Sequence, residues 1–355
     1  MTGTQGPTTT PSRVDDFDYD LPTELIAQHP APARDGSRLM VIDRRSGAIE
    51  DSRFSRLPDY LNPGDLLVAN QSRVLPARVH GRLESGGAIE LLLVRPQHAQ
   101  EVRGEFWEVM ARPAKKLRLG TTLILPEGVA AVVVGQGDSG RRLVRFEGSA
   151  NFDRWLRTVG ELPLPPYIKS YPDDPERYQT VYAREEGSIA APTAGLHFTP
   201  ELITDIQDRG IEVRWVTLHV GPGTFKTVQI EELNQIQLEP EQASISSETG
   251  AAISRAKREG RRVIAVGTTT TRTLEGLYRR NGYLEEWQGE VDLFISPPFE
   301  FKVVDSLITN FHLPRSTLLM LVSALAGTDL IREAYRHAID ERYRFYSFGD
   351  AMFIV

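Results

Sequence analysis

Three histidines of this chain stand beside turns rich in glycine and threonine, and each turn borders an apolar run. The densest stretch is AAPTAGLHFTPELI, residues 190–203. Small residues turn through Pro192 and Gly195 and set His197 on what reads as an exposed bend. Thr199 is a good N-cap, and Pro200 suits the first helical position, where a missing N–H is no loss. The free N–H groups of that helix start face Thr193, Gly195 and His197. This would suit an anionic or strongly polar ligand beside a titratable imidazole. An ordinary loop-to-helix junction with a surface histidine fits the same residues.

Four further segments combine glycine, hydroxyl and charged residues. NQSRVLPAR (70–78) offers Asn70 and two guanidinium forks, Arg73 and Arg78, able to hold a phosphate or carboxylate, or simply to be solvated at a turn. In TLHVGPGTFK (217–226), His219 precedes Gly221, Gly223 and Thr224, where a backbone can approach a ligand or make a plain turn. In VIAVGTTTTRTLEGL (263–277), an apolar strand ends at Gly267. Thr268, Thr269 and two more threonines then lead to Arg272 on the first helical turn. Such a loop presents N–H groups and hydroxyls to a ribose, carboxylate or phosphate, and without a Gly-Lys-Ser/Thr ending it is no P-loop. In LITNFHLPRSTLLML (307–321), Asn310, Phe311, His312 and Arg315 precede a helix capped by Ser316. Three histidines on three loops could suggest a metal. Without carboxylates at ligand spacing or an H-E-x-x-H, none is expected. His80, His98 and His337 read as structural.

The elements that must place these loops follow from periodicity. Residues 1–13 are mostly Thr, Gly and Pro and read as a disordered tail. Residues 37–54 read as two strands joined by an Arg-Arg-Ser-Gly turn. From Asp65 seven short apolar or alternating runs follow without a helix-length pattern, which indicates a small closed barrel or sandwich, and a short helix begins at Phe152. Beyond Ala190, helices ending at Gly210 and Gly260 each lead into an apolar strand. A C′ glycine takes the left-handed conformation cheaply. That alternation indicates a mainly parallel, layered α/β domain. The expected fold class is therefore α/β plus all-β: a discontinuous larger α/β domain (14–61 and 152–355) with an inserted small β-barrel domain (62–151).

Composition bounds the function. The chain has 355 residues, 40% of them apolar and 25% charged, which suits a globular protein of two domains. Zero cysteines exclude disulfides, thiolate catalysis and Cys-ligated metals. No 18-residue apolar run and no secretory leader are evident, so a cytoplasmic protein away from membranes is expected. The net charge is −7, yet residues 62–150 hold 12 Lys and Arg against 9 Asp and Glu, a local +3 against −10 for the remainder. This is a candidate nucleic-acid surface or a solvated face of sheet edges.

APTAGLHFTPEL resembles the signature of the S-adenosylmethionine:tRNA ribosyltransferase-isomerases, the enzymes of queuosine biosynthesis, and the resemblance runs from about Phe17 to the C-terminus. It extends to Asn70, Arg73, Pro76, Ala77 and Arg78, to His219–Phe225 apart from Pro222, and to the 307–321 segment. Gln71-Ser72 stand where the family usually has Asp-Thr. After TFKTV its usual His, Met and Glu run is replaced by EELNQIQLEPEQ, with Glu241 alone plausibly retained. The resemblance implies transfer and isomerisation of the ribosyl unit of S-adenosylmethionine onto 7-aminomethyl-7-deazaguanine (preQ1) in a tRNA anticodon loop. Epoxyqueuosine would form, and adenine and methionine would leave. S-adenosylmethionine is then a substrate, no cofactor is implied, and a monomer is expected. His197 becomes the first candidate for acid–base or orienting work, with His219 and His312 next, while Arg272, Arg315 and the threonine loop would hold a carboxylate or phosphate. The barrel would supply part of the RNA surface, and a cleft between lobes the active site. The alternatives are an S-adenosylmethionine-dependent RNA methyltransferase, whose Gly-rich first turn is not evident, and a non-catalytic RNA-binding module.

Overall fold

A computed structural model describes residues 11–97, 104–137, 140–225 and 230–355; His98 and the tail up to residue 10 lie outside the described residues. The chain divides into two compact units, residues 1–72, 166–185 and 191–355 in one and residues 73–165 and 186–190 in the other.

Strands β1 (Arg38–Ile42) and β2 (Ile49–Arg53) form the expected hairpin, and β3 (Leu66–Asn70) follows. β4 (Ser72–Val74) pairs with β11 (Glu185–Ser188) in a two-stranded ladder. The smaller unit is built on β5 (Arg78–Leu83), β6 (Ala88–Gln97), β7 (Glu105–Arg112), β8 (Thr122–Ile124), β9 (Ala130–Gln136) and β10 (Arg142–Glu147). They close as a barrel in the order β10-β7-β6-β5-β8-β9. Alternation puts Val79, Leu91, Val109, Leu123, Ala131 and Val144 inside, and closure leaves no unpaired edge.

Helix α1 (Phe152–Val159) is capped by Asn151, whose side chain accepts from Arg154 N at 2.9 Å. It buries Phe152, Trp155 and Leu156 in the barrel's core, with Phe152 5.0 Å from the Phe146 ring. The barrel boundaries expected at 62–151 are thereby corrected at both ends. The first apolar run, DLLVANQS, is not a barrel strand: β3 is buried along its whole length in the other sheet. At the far end, the aromatic face of α1 keeps residues 152–165 with the barrel.

The larger unit continues with α2 (Pro200–Asp208), β12 (Glu212–Leu218), β13 (Glu241–Ile245), α3 (Ser247–Arg258), β14 (Val263–Val266), α4 (Thr268–Asn281) and β15 (Trp287–Val291). It ends with β16 (Ser306–Asn310), α5 (Thr317–Ala326), α6 (Thr328–Asp340) and β17 (Ala351–Ile354). Nine strands run β15-β13-β12-β3-β14-β16-β17-β1-β2. β12, β3, β14 and β16 are mutually parallel, and β17 lies parallel to β1. The pairs β12/β13, β13/β15, β16/β17 and β1/β2 are antiparallel. The sheet is thus mixed, where a mainly parallel one was expected. Only its centre follows the helix–glycine–strand rhythm; β1/β2 is a tight hairpin, and β17 enters against β16 from the chain's end.

Strand alternation covers both faces, as a layered α/β sheet requires. Val68, Ala265 and Leu307 face α3, α4 and α5, while Leu67, Ile264 and Phe353 face Phe198, Leu202 and Ile206. The caps read from the sequence hold, Thr199 and Ser316 each accepting from the backbone N–H three residues on, and Ser246 caps α3 in the same way. Gly210 and Gly260 take φ of +80° and +68° after the helices they end.

Candidate active site

The four central parallel strands end at Asn70, Leu218, Val266 and Asn310, the edge where open α/β sheets place ligands. Asn70 ties these ends together. Fully buried, it donates from Nδ2 to Leu218 O at 2.9 Å and to Thr269 Oγ1 at 3.3 Å, and its Oδ1 accepts from Leu218 N and Ser72 N. Its amide is thereby committed to positioning the neighbouring loops.

Above this edge lies a cavity formed wholly by the larger unit. Among its lining residues are Thr193, Thr268, Thr269, Asn310, Phe311 and His312, six of the residues singled out from the sequence. Gly267 begins α4 at φ +87°, a conformation that L side chains rarely adopt, and its N–H is held by Ile308 O at 2.8 Å. That turn brings the start of α4 to the cavity. The hydroxyls of Thr270, Thr271 and Thr273 donate back to the carbonyls four residues earlier, so they are structural. Thr268 and Thr269 remain with the N–H groups of the first turn, a place for an anion. The start of α5, capped by Ser316, meets the same cavity.

His197 is not on an exposed bend. It is 4% exposed, stacked on Phe54 at 4.9 Å between ring centroids, and held at both nitrogens. Nδ1 lies 2.8 Å from Ser37 Oγ and Nε2 3.1 Å from Asn310 Nδ2. Asn310 Nδ2 also donates to Tyr346 O at 3.2 Å, which assigns both amide hydrogens and makes His197 Nε2 an acceptor, with the proton on Nδ1. Burial, then the charges of Arg344 and Arg34, push this imidazole down to about 3, so it is neutral at any working pH. His197 stands behind the cavity and reaches it through Asn310, whose Oδ1 is buried without a partner.

His312 does line the cavity. Its Nε2 meets Thr309 Oγ1 at 3.0 Å, its backbone N–H donates to Tyr335 OH, and its carbonyl accepts from Tyr19 OH. Burial pushes it, too, down to about 3. His219 is half-buried and outside the lining; burial lowers its pKa and the charge of Glu185 opposes that.

The remaining sequence candidates are placed elsewhere. Gly195 packs under Tyr182, where a Cβ would come within 2.1 Å of the hydroxyl. Arg272 is buried in an ion pair with Glu241 at 2.6 Å and also donates to Leu293 O. The other Glu241 oxygen takes Gly221 N at 2.7 Å, which fixes that loop to α4, with Gly223 two residues on. Arg315 turns through φ +57° and pairs with Asp15 at 3.2 Å. Neither guanidinium lines the cavity, because a carboxylate already holds each one. Arg73 (in β4) and Arg78 (opening β5) belong to the barrel unit, where Arg78 Nε lies 3.9 Å from Glu90. The side chain of Thr224 is outside the described residues. His80 and His337 meet Glu161 and Asp51.

Sequence reasoning missed Ser37 and Phe54, which hold His197, and Tyr167, Tyr346 and Ser347, which line the cavity. Only the hydroxyls of RFYSFGD hinted at the last two; Tyr346 adopts φ +72°, which no pattern foretells.

A cavity of this kind, at the carboxyl edge of parallel strands with two helix starts and a neutral imidazole on its wall, lies where α/β enzymes bind small organic ligands. Residues 14–354 match the model of a family described as queuosine biosynthesis protein. The chain is 51% identical to the S-adenosylmethionine:tRNA ribosyltransferase-isomerase of Symbiobacterium thermophilum, over 97% of this chain and 100% of that one. It is 51% identical to the enzyme of the same name from Thermotoga petrophila, again over 97% of this chain and 100% of that one. The crystal structure of S-adenosylmethionine tRNA ribosyltransferase from Thermotoga maritima aligns with a TM-score of 0.56 at 42% identity, covering 96% of this chain and 100% of that one. The chain belongs to this family, the S-adenosylmethionine:tRNA ribosyltransferase-isomerases of queuosine biosynthesis, and is an enzyme of that class.

Proposed function

We propose that this enzyme transfers the ribosyl unit of S-adenosylmethionine to the aminomethyl group of preQ1 in tRNA and isomerises it, giving epoxyqueuosine-tRNA, adenine and methionine. One observation carries the reading: the start of α4, Asn310 and His312 line one cavity at the sheet's carboxyl edge. The N–H groups at Thr268 and Thr269 suit the methionine carboxylate, the one anionic group of this sulfonium nucleoside. Asn310 Oδ1, buried and unpartnered, suits an N–H of the adenine or the ammonium.

The sulfonium acidifies the ribose C5′ hydrogens, and a proton leaving C5′ needs an acceptor. His312 takes that candidate place from His197 because it lines the cavity, whereas His197 stands behind it. His197 becomes a positioning residue that holds the Asn310 amide. Adenine leaves with the glycosidic electron pair and takes up a proton, while the sulfonium leaves as neutral methionine. This reading has no metal or second cofactor, and a cytoplasmic monomer as the working form.

The test is incubation with S-adenosylmethionine and preQ1-tRNA, followed by mass analysis of the digested nucleosides. The expected product is epoxyqueuosine; a methylated nucleoside would support the methyltransferase alternative and sink this one.

A further inference from the structure

Behind His197 a second, smaller cavity opens within the larger unit, and three guanidinium groups, Arg34, Arg177 and Arg344, line it. Ser37, His197 and Ser347 form part of its floor, and Ser347 lines the first cavity as well. The arginines are held mainly by backbone carbonyls. Arg34 donates to Leu196 O at 3.2 Å and Glu176 O at 2.8 Å, Arg177 to Pro32 O at 3.2 Å and Ala31 O at 2.6 Å, and Arg344 to His29 O at 3.3 Å. Asp350 lies 3.9 Å from Arg344 Nε. Arg177 Nε is buried with no partner. Burial and then the charge of Arg177 lower the pKa of Arg34, partly opposed by Asp174 and Glu176.

Three guanidinium groups thus meet in one pocket, donating to neutral carbonyls, with Asp350 on its edge at Arg344. Tetrahedral phosphate oxygens accept from several guanidinium forks at once, which a single carboxylate does less fully. We propose that the Arg34–Arg177–Arg344 pocket binds a phosphodiester of the tRNA backbone next to the nucleotide that reacts in the first cavity. The proposal rests on the tRNA reading above. Ser347 and the chain Ser37–His197–Asn310 link the two cavities, so a phosphate seated here would fix the substrate's register on the reacting cavity.

The experiment measures binding of preQ1-tRNA to the full chain across a salt series, for wild type and for Arg34→Gln, Arg177→Gln, Arg344→Gln and Arg177→Lys. Each Gln variant should bind about tenfold more weakly, with a salt slope shallower by about one, while Arg177→Lys should retain most of the slope. The KM for S-adenosylmethionine at saturating tRNA should stay within about twofold. Unchanged tRNA affinity and slope in all three Gln variants overturn the proposal. A rise in the S-adenosylmethionine KM with tRNA affinity intact also overturns it, and assigns the pocket to the methionine carboxylate. If the Gln variants fail to fold, phenylglyoxal modification of wild type decides: an anticodon stem-loop RNA should protect the three arginines, and absence of protection contradicts the assignment. Failure of the tRNA reading itself is separate, because wild type would then release no adenine.

Discussion

Both ring nitrogens of His197 are occupied, by Ser37 and by Asn310, so in the proposed mechanism His197 acts through the Asn310 amide. His197→Ala is expected to lower kcat by roughly 10- to 100-fold, with Asn310→Ala similar and the double variant no worse than the poorer single. Additive losses in steady-state kinetics would mean that the two residues act independently. A second expectation concerns acid. Folding lowers His197 and His312 from 6.5 to about 3, so between those values the unfolded chain binds more protons. Stability should therefore be whole above pH 6.5 and decline as pH falls toward about 3. Urea midpoints at about pH 7.5 and about pH 5 should show the drop, and it should be smaller in His197→Asn. The sequence singled out position 197 through its proline, glycine and cap. It could not show burial, because Ser37 and Phe54 approach from more than a hundred residues away.

Helix α4 is the element on which the site turns, and two contacts set it. Glu241 and Arg272 are 7% and 6% exposed, so Glu241→Ala leaves a buried cation and loosens Gly221. The expected loss is about 3–5 kcal/mol in chemical denaturation, with Arg272→Met/Glu241→Leu recovering much of it. Gly267→Ala meets a φ of +87° and should cost about 1–3 kcal/mol while disturbing the cavity. A variant with full stability and normal KM for S-adenosylmethionine would remove α4's start from the site. The helices were legible where a cap and a C′ glycine bracket them, as at Thr199 and Gly210. The threonine run was legible as special but not divided: the helical turn, invisible in four identical residues, gives the hydroxyls of Thr270 and Thr271 to carbonyls four residues back and leaves Thr268 and Thr269 on the cavity. Arg272 misled because a cation near a helix start looks free until its partner on a distant strand is seen.

At the scale of the whole molecule, a closed barrel is spliced into the sequence of a nine-stranded sheet unit. The barrel was legible from its evenly spaced runs, but β3 carries the same apolar signature and was counted with it. Burial on both faces makes β3 a continuous apolar run, and a run so short does not show in the sequence which sheet it joins. The barrel's surplus of basic residues is partly internal: Arg95 and Arg141 pair with Glu108, and Arg145 with Glu147. Lys115, Lys116 and Arg118 are exposed and remain available to a polyanion. Trp155→Ala should destabilise the protein by about 3–5 kcal/mol through loss of packing between α1 and the barrel, read as a lower thermal midpoint. The central claim is ribosyl transfer, and ribose-labelled S-adenosylmethionine tests it most directly. With preQ1-tRNA the label should enter the RNA with an equimolar amount of free adenine. Label left wholly on an adenosyl product, with no adenine released, would contradict the account.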